Sequence, residues 1–256
     1  EKVGHTGTLD PNATGVLPLL IGKGTELSKY LINHDKTYEA ILQLGEKRDT
    51  GDVEGKIIEQ KNVTEKSLNT ENINSVFKTL IGKQEQIPPI YSALKVNGKK
   101  LYEYARTNQE VQLPKKEVTI KRIKLLSSDN DTFMIKAKVT KGCYIRSLIR
   151  DIGESLNTYA TMTTLVRTKQ GKVSIKNTNT LSDLKKGKLM LHTIDEVLDY
   201  PVVTVKENIE QKIKTGQKLP NIYKIKDKVI FKNKKQEILG IYQVENEKLR
   251  VWKNFC

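Results

Sequence analysis

The chain has 256 residues, 45 Lys and Arg against 30 Asp and Glu, a formal charge of +15, and 37% hydrophobic residues. That composition is globular rather than disordered, no apolar run approaches the roughly 18–20 residues of a bilayer-spanning helix, and the surplus positive charge points to a polyanion, nucleic acid before a membrane surface. Two cysteines, Cys143 and Cys256, make no disulfide framework and, with three scattered histidines, no metal-ligand cluster, so a cytoplasmic protein without a metal is expected.

The chain opens on Glu1 rather than Met and is expected to begin inside a larger domain. Residues 4–18 read Gly-His-Thr-Gly-Thr-Leu-Asp-Pro-Asn-Ala-Thr-Gly-Val-Leu-Pro. One acid, Asp10, stands among Gly4, Gly7 and Gly15, where small residues let backbone or substrate approach closely. Pro11 restricts Asp10 to extended geometry and so fixes where its carboxylate points. A lone, rigidly presented carboxylate in a basic protein suggests an acid working on a polyanion; the ordinary alternative is an Asp-Pro turn. Gly4-His5-Thr6-Gly7 also matches the GXXG loop with which KH domains clamp RNA, although the flanking helical signals are missing.

Val16 to Ile21 is a strand-sized apolar run broken by Pro18, and Gly22-Lys23-Gly24-Thr25 lacks the glycine spacing of a nucleotide-binding loop. Residues 25–34 predict a short helix with Leu27, Tyr30 and Leu31 on one face. Tyr38 to Leu44 alternates as a half-buried strand. Residues 45–56 are polar and Gly-punctuated, a loop or hairpin turn in which Asp49, Asp52 and Glu54 read as solvated. The spacing of Ile73, Val76, Phe77, Leu80 and Ile81 predicts a helix over 71–81, with Thr70 as N-cap and Gly82 as the stop.

Residues 86–115 break the pattern. Gln86-Ile87-Pro88-Pro89 blocks regular structure, and Lys95, Lys99, Lys100 and Arg106 interleave with Tyr91, Tyr102 and Tyr104, which suits a surface element gripping nucleic acid. Val118–Leu126 and Phe133–Val139 predict paired strands across a turn at Ser127–Asp131. Lys141-Gly142 ends the second strand, and Ile145, Leu148, Ile149, Ile152 and Leu156 follow at helical spacing. Tyr144 and Arg146 therefore sit where strand becomes helix. On residue chemistry alone, Tyr38 reads as a core or edge aromatic and Arg146 as a surface charge. After Tyr200-Pro201 the composition shifts to 13 Lys and Arg against 6 Asp and Glu, net +7. Alternating runs at 222–231 and 238–243 predict a compact all-β module there.

The combination is more specific than any one piece. The string at residues 4–18 is followed in order by Lys36-Thr37-Tyr38, Ile87-Pro88-Pro89-Ile90-Tyr91-Ser92-Ala93-Leu94-Lys95 and residues 98–106. Lys141-Gly142-Cys143-Tyr144-Ile145-Arg146 and Leu165-Val166-Arg167 come next, and the whole series resembles the TruB family of tRNA pseudouridine synthases. The resemblance covers roughly residues 1–200; the tail is similar in position and character to the small PUA-like RNA-binding module of that family. The N-terminal strand and helix with a Lys-Pro-x-Gly-x-Thr-Ser motif, usual in the family ahead of this string, are not in the chain.

The resemblance implies an α+β fold, with a mixed, largely antiparallel sheet flanked by helices. It places a catalytic domain at 1–200, an RNA-gripping insertion at about 86–115 and a β-rich PUA-like module at 201–256. It further implies isomerisation of the uridine at position 55 in the T loop of tRNA. The N1–C1′ bond breaks, the uracil turns and rejoins through C5, and no cofactor or metal takes part. Asp10 is then the carboxylate that reacts at the uridine, with attack on C1′, addition to the base and ribose deprotonation all left open. Arg146 is its guanidinium partner, able to hold a carboxylate bidentately. The target base must leave its stack, at a cost of about a few kcal/mol. Tyr38 is its stacking platform and by resemblance helps remove the C5 proton, His5 fills the vacated space in the RNA, and Tyr144 and Leu165 complete the pocket. Lys95, Lys99, Lys100 and Arg106 contact RNA. The expected partner is the T stem-loop of tRNA, met by a monomer in the cytoplasm and not at a membrane. A non-catalytic RNA-binding or RNA-folding protein explains the charge and the tyrosines equally well, but not Asp10, Tyr38, Tyr144 and Arg146 together in their contexts.

Overall fold

In the computed structural model, which describes residues 1–256, unbroken alternation of burial along Lys36–Leu44 sets that strand inside a seven-stranded sheet. The order across the sheet is Val173–Ser174, Ala160–Gln170, Lys36–Leu44, Thr132–Val139, Lys116–Asp129, Gly82–Gln86, every neighbour antiparallel. Ala13–Gly15 joins Ala160–Gln170 in parallel. The sheet is thus mixed and largely antiparallel, as expected.

Two helices, Thr70–Leu80 and Ile145–Ser155, place Ile73, Val76, Phe77, Leu148, Ile149 and Ile152 into one core with Leu42, Ile120, Phe133 and Ile135 of the sheet. Their apolar residues recur at three and four, the spacing that makes one helical face. Close approach at Gly153 seats the second helix: a Cβ there would lie 2.5 Å from the amide nitrogen of Ala160. Asn69, not Thr70, caps the first helix, its side-chain oxygen accepting from the amides of Glu71 and Asn72 at 2.8 and 3.1 Å. Thr70 already has helical geometry, so the cap falls one residue earlier.

Local expectations are met with shifted limits. The predicted helix over 25–34 is a 3₁₀ segment, Gly22–Leu27, and a single α turn, Ser28–Leu31. It goes no further because the amides of Asn33 and His34 bond back to Tyr30 and Leu31 in the tighter i→i+3 pattern. Of the predicted loop 45–56, Glu46–Arg48 is already a strand, and residues 49–56 turn its hairpin with Ile57–Gln60. The strand begun at Lys116 runs on to Asp129, so the predicted turn tightens to Asn130-Asp131, with Asn130 at φ +48°. Within 86–115 the chain forms a small hairpin, Lys95–Val96 with Lys99–Lys100, turned by Asn97 and Gly98, and then the helix Leu101–Arg106.

The elements above from His5–Pro18 and Lys29–Lys176 make one compact unit; Glu1–Gly4, Leu19–Ser28 and Asn177–Cys256 make the other. The second unit therefore draws on residues well before the composition shift at Tyr200. Its five-stranded sheet runs Val202–Thr204, Lys228–Lys232, Ile238–Glu245, Lys248–Asn254, Leu219–Pro220. Val229, Phe231, Leu239, Tyr242 and Leu249 form its core, with Phe231 edge-on to both Tyr223 and Tyr242. The helix Glu207–Lys214 buries Ile213 in that core, so the tail is not all-β as the alternating runs predict. No helix of the structure is long and apolar enough to cross a membrane.

Candidate active site

The loop that carries Asp10 is built on the backbone of one sheet strand. Ala13, Thr14 and Gly15 pair in parallel with Leu165, Val166 and Arg167, and the amide of Val16 donates to the Arg167 carbonyl at 2.8 Å. Contact is so close at Gly15 that a Cβ would stand 2.3 Å from the Arg167 oxygen, and its φ is +103°. Only glycine fits there. Upstream, buried Gln170 donates to both the carbonyl and the hydroxyl of Thr6, at 3.0 and 2.7 Å. Between these anchors Pro11 starts a turn in which the Ala13 amide donates to the Asp10 carbonyl at 2.9 Å. The Asp10 side chain stays 40% exposed.

Arg146 lies in the first turn of the helix Ile145–Ser155 and is only 7% exposed. Its Nε is 3.1 Å from Asp10 Oδ2, but the N–H is not aligned on any acceptor, so this is a charge contact rather than a hydrogen bond. Nη1 donates to the Thr50 carbonyl at 2.9 Å and lies 3.6 Å from Asp52 Oδ2; Nη2 donates to the Tyr91 carbonyl at 3.0 Å. The expected two-pronged grip on Asp10 is therefore not formed, because the other nitrogens of the fork are held elsewhere. A cation at a helix N-terminus opposes the macrodipole, and here two carboxylates offset that. Asp52 is accordingly no solvated turn residue. Its side chain is 18% exposed and accepts from the Thr50 hydroxyl at 2.7 Å.

Tyr144 caps this helix without a side-chain bond of its own. Gln86, 2% exposed at the end of its strand, closes a two-bond clasp on the Tyr144 peptide: the amide donates to Gln86 Oε1 at 2.8 Å, and Gln86 Nε2 donates back to the carbonyl at 3.1 Å. Burial pushes the neighbouring Cys143 thiol up to about 12, which makes it inert.

Tyr38 and Leu165 are buried on the core side of the sheet, where Tyr38 faces Arg167, and Leu165 faces Ala40, across the strand pair. Burial raises the Tyr38 hydroxyl above the usual phenol range; the Arg167 guanidinium opposes this, and the Asp10 charge adds to it. The ring is thus a protonated phenol at neutral pH. His5 is exposed, with its Nδ1 accepting from the Gly7 amide at 3.3 Å. Lys95, Lys99 and Arg106 are exposed and Lys100 half-buried. Lys100 and Arg106 both lie 5.3 Å from the centre of the Tyr102 ring, and Lys99 lies 5.8 Å from that of Tyr104.

The structure thus brings Asp10 and Arg146 into contact and sets Tyr38 within the electrostatic reach of Asp10. It attaches the basic excursion to the same guanidinium through the Tyr91 carbonyl. Sequence reasoning passes over Asp52, Gln86, Gln170 and the side chain of Arg167. A signal for Arg167 is present, since alternation from Leu165 places it on the buried side of its strand.

Two family models match the chain in succession: the N-terminal domain of TruB family pseudouridylate synthase over residues 1–145, and the C-terminal domain of tRNA pseudouridylate synthase B over 146–207. A tRNA pseudouridine synthase B of Caldanaerobacter subterraneus subsp. tengcongensis is 40% identical over 252 residues, 98% of this chain and 88% of that protein. One from Oceanobacillus iheyensis is 43% identical over 255 residues, 95% of this chain and 84% of that protein. Among solved structures, a chain in the crystal structure of a Cbf5-Nop10-Gar1 complex superposes with a TM-score of 0.70 at 23% identity, over all of this chain and 77% of that one. A chain of an H/ACA RNP bound to a substrate RNA containing 2'-deoxyuridine gives 0.68 at 22% identity, over all of this chain and 77% of that one. These two likenesses are of fold.

Proposed function

The chain belongs to the TruB family of pseudouridylate synthases, and from that premise we propose that it isomerises uridine to pseudouridine in tRNA, at position 55 of the T loop. The observation that carries this reading is the pairing at the loop. Asp10 is open enough for a nucleotide to reach, while its charge is held 3.1 Å from a buried guanidinium.

In the reaction the N1–C1′ bond breaks, the uracil turns and a C5–C1′ bond forms; C5 loses a proton and N1 ends with one, so the atoms balance without a co-reactant. Asp10 supplies the carboxylate that acts at the uridine, and the Arg146 guanidinium sets a positive charge 3.1 Å from it. Tyr38 offers its ring to the extruded uracil and a protonated hydroxyl beside it. Leu165 and Tyr144 close the pocket, and His5, exposed at the start of the loop, occupies the space left in the RNA. Lys95, Lys99, Lys100 and Arg106 meet phosphates, positioning the T stem-loop without reading bases.

Residues 1–200 act as the catalytic domain and the tail from 201 as a PUA-like RNA-binding module, a reading supported by the curled sheet and the net charge of +7 on the tail. All the proposed side chains stand on one chain, so a monomer in the cytoplasm suffices, with no cofactor. The test is Asp10→Asn on an unmodified tRNA transcript. Pseudouridine should fall below detection while tRNA affinity holds. Turnover near the wild-type rate removes Asp10 from the chemistry, and a wild-type chain that binds tRNA but makes no pseudouridine returns the RNA-binding reading.

A further inference from the structure

Arg167 heads the fully buried side chains of the molecule by volume, and it is 1% exposed. Charged side chains are almost never buried to that degree unless paired. Here all three guanidinium nitrogens donate to backbone carbonyls: Nε to Val16 at 2.6 Å, Nη2 to Gly7 at 3.0 Å and Nη1 to Thr8 at 3.4 Å. Those carbonyls lie on both sides of Asp10. The fork therefore ties the two limbs of the loop together and to the strand Ala160–Gln170. A planar guanidinium can reach three acceptors at once, and an ammonium cannot reproduce the arrangement.

The Asp10 side chain does not fix its own place, since its contact with Arg146 is an unaligned charge contact. Its position comes from the backbone of the loop, and that backbone is held by Arg167. The same guanidinium faces the Tyr38 hydroxyl across the strand pair and works against the effect of burial on it. We propose that Arg167 is a positioning residue of the site, holding the Gly7, Thr8 and Val16 carbonyls so that Asp10 stands in its reactive place, without itself touching the reacting atoms.

This inference rests on the pseudouridine synthase reading, and its test separates the two. Arg167→Ala and Arg167→Lys are compared with the wild-type chain in single-turnover reactions at saturating tRNA, alongside tRNA affinity and hydrogen exchange. Displacement of a reacting group by about 1 Å costs on the order of 100-fold. The rate should fall by about that factor in both variants, with affinity changed by less than about threefold. Added guanidinium ion should restore Arg167→Ala by about tenfold, where ammonium does not. Amide exchange over residues 5–16 should speed up while Lys36–Leu44 and Thr132–Val139 keep their protection.

A variant that melts at a lower temperature yet turns over at the wild-type rate while folded overturns the proposal, as does unchanged exchange over residues 5–16. If Arg167→Ala does not fold, Arg167→Lys decides the rate and the exchange. If neither folds, the arginine is a requirement of the fold and the positioning role is lost. A wild-type chain without turnover overturns the function instead, and the exchange measurement still decides the clamp.

Discussion

Arg146 and Arg167 are both buried guanidiniums beside the same loop, and they differ in what they hold. Arg146 reaches three separate segments, at Asp10, at Thr50 and Asp52, and at Tyr91, and meets two carboxylates, Asp10 at 3.1 Å and Asp52 at 3.6 Å. Arg167 bonds to main-chain carbonyls on both sides of Asp10 and meets no carboxylate; across the strand pair it faces the Tyr38 phenol. One arginine balances the charge of the carboxylate; the other decides where the carboxylate is. The division suits a reaction in which Asp10 must be held in place yet stay open to substrate. A charge contact tolerates small movements, whereas hydrogen bonds weaken steeply once donor and acceptor lose alignment.

The largest effect beyond loss of Asp10 itself should come from Arg146. Arg146→Met removes the cation that Asp10 and Asp52 both contact, and the rate should fall by about 10³-fold, the scale of removing a preorganised electrostatic partner. Because the grip on Asp10 is a charge contact, Arg146→Lys should keep part of the activity, losing about tenfold to 100-fold through the unmade bonds to Thr50 and Tyr91. An Arg146→Lys enzyme as dead as Arg146→Met would mean that the shape of the fork matters as much here as at Arg167, and the contrast between the two arginines would fail.

A smaller effect is expected at Tyr38. The ring serves as platform and the hydroxyl faces Arg167, so Tyr38→Phe isolates the second contact. If Arg167 acts through the loop carbonyls, Tyr38→Phe should lose less than about tenfold in single-turnover rate, against about 100-fold for Tyr38→Ala. Equal loss in both would move the weight of Arg167 from the loop to the phenol.

The smallest effect concerns stability. Buried Lys36 donates to the carbonyls of Ile32 and His34, and burial first, then the positive charge of Arg167, lowers it to about 8. The unfolded chain then binds more protons than the folded one between pH 8 and the ordinary lysine value. Folded stability should therefore rise with pH across that window, by about 2 kcal/mol. Urea midpoints of wild type and Lys36→Met at pH 7.5 and 9.5 check this: the wild-type chain should gain on the variant at the higher pH. A constant gap would show that Lys36 carries no such strain beside Arg167.

How much of this was legible in the sequence depended on whether a residue answered to a local rule. The strand Lys36–Leu44 and the helices Thr70–Leu80 and Ile145–Ser155 follow strict periods, and a period survives any tertiary context that buries one face. Asp10, Tyr38 and Arg146 came from motif context, and the contact of Asp10 with Arg146 follows from where their elements meet. Asp52 departs from the solvated reading because a polar, glycine-punctuated turn looks solvated until a helix from far along the chain buries a guanidinium against it. Gln86 grips the main chain of a distant residue, and Gln170 the carbonyl and hydroxyl of Thr6, and neither contact leaves a trace in spacing. The helix Glu207–Lys214 escaped because Ile209 and Ile213 are its only apolar pair among charged neighbours.

The hydrogen bonds that place Asp10 join residues 151 to 160 apart in sequence. Closing so long a segment carries a high entropic cost before any contact returns it, and such pairings form late. During synthesis the Asp10 loop leaves the ribosome well ahead of the strand Ala160–Gln170 that holds it. Until that strand is made, the carboxylate belongs to a loose glycine-rich tether, and a nascent chain ending before residue 160 has the residues of the motif but no assembled site.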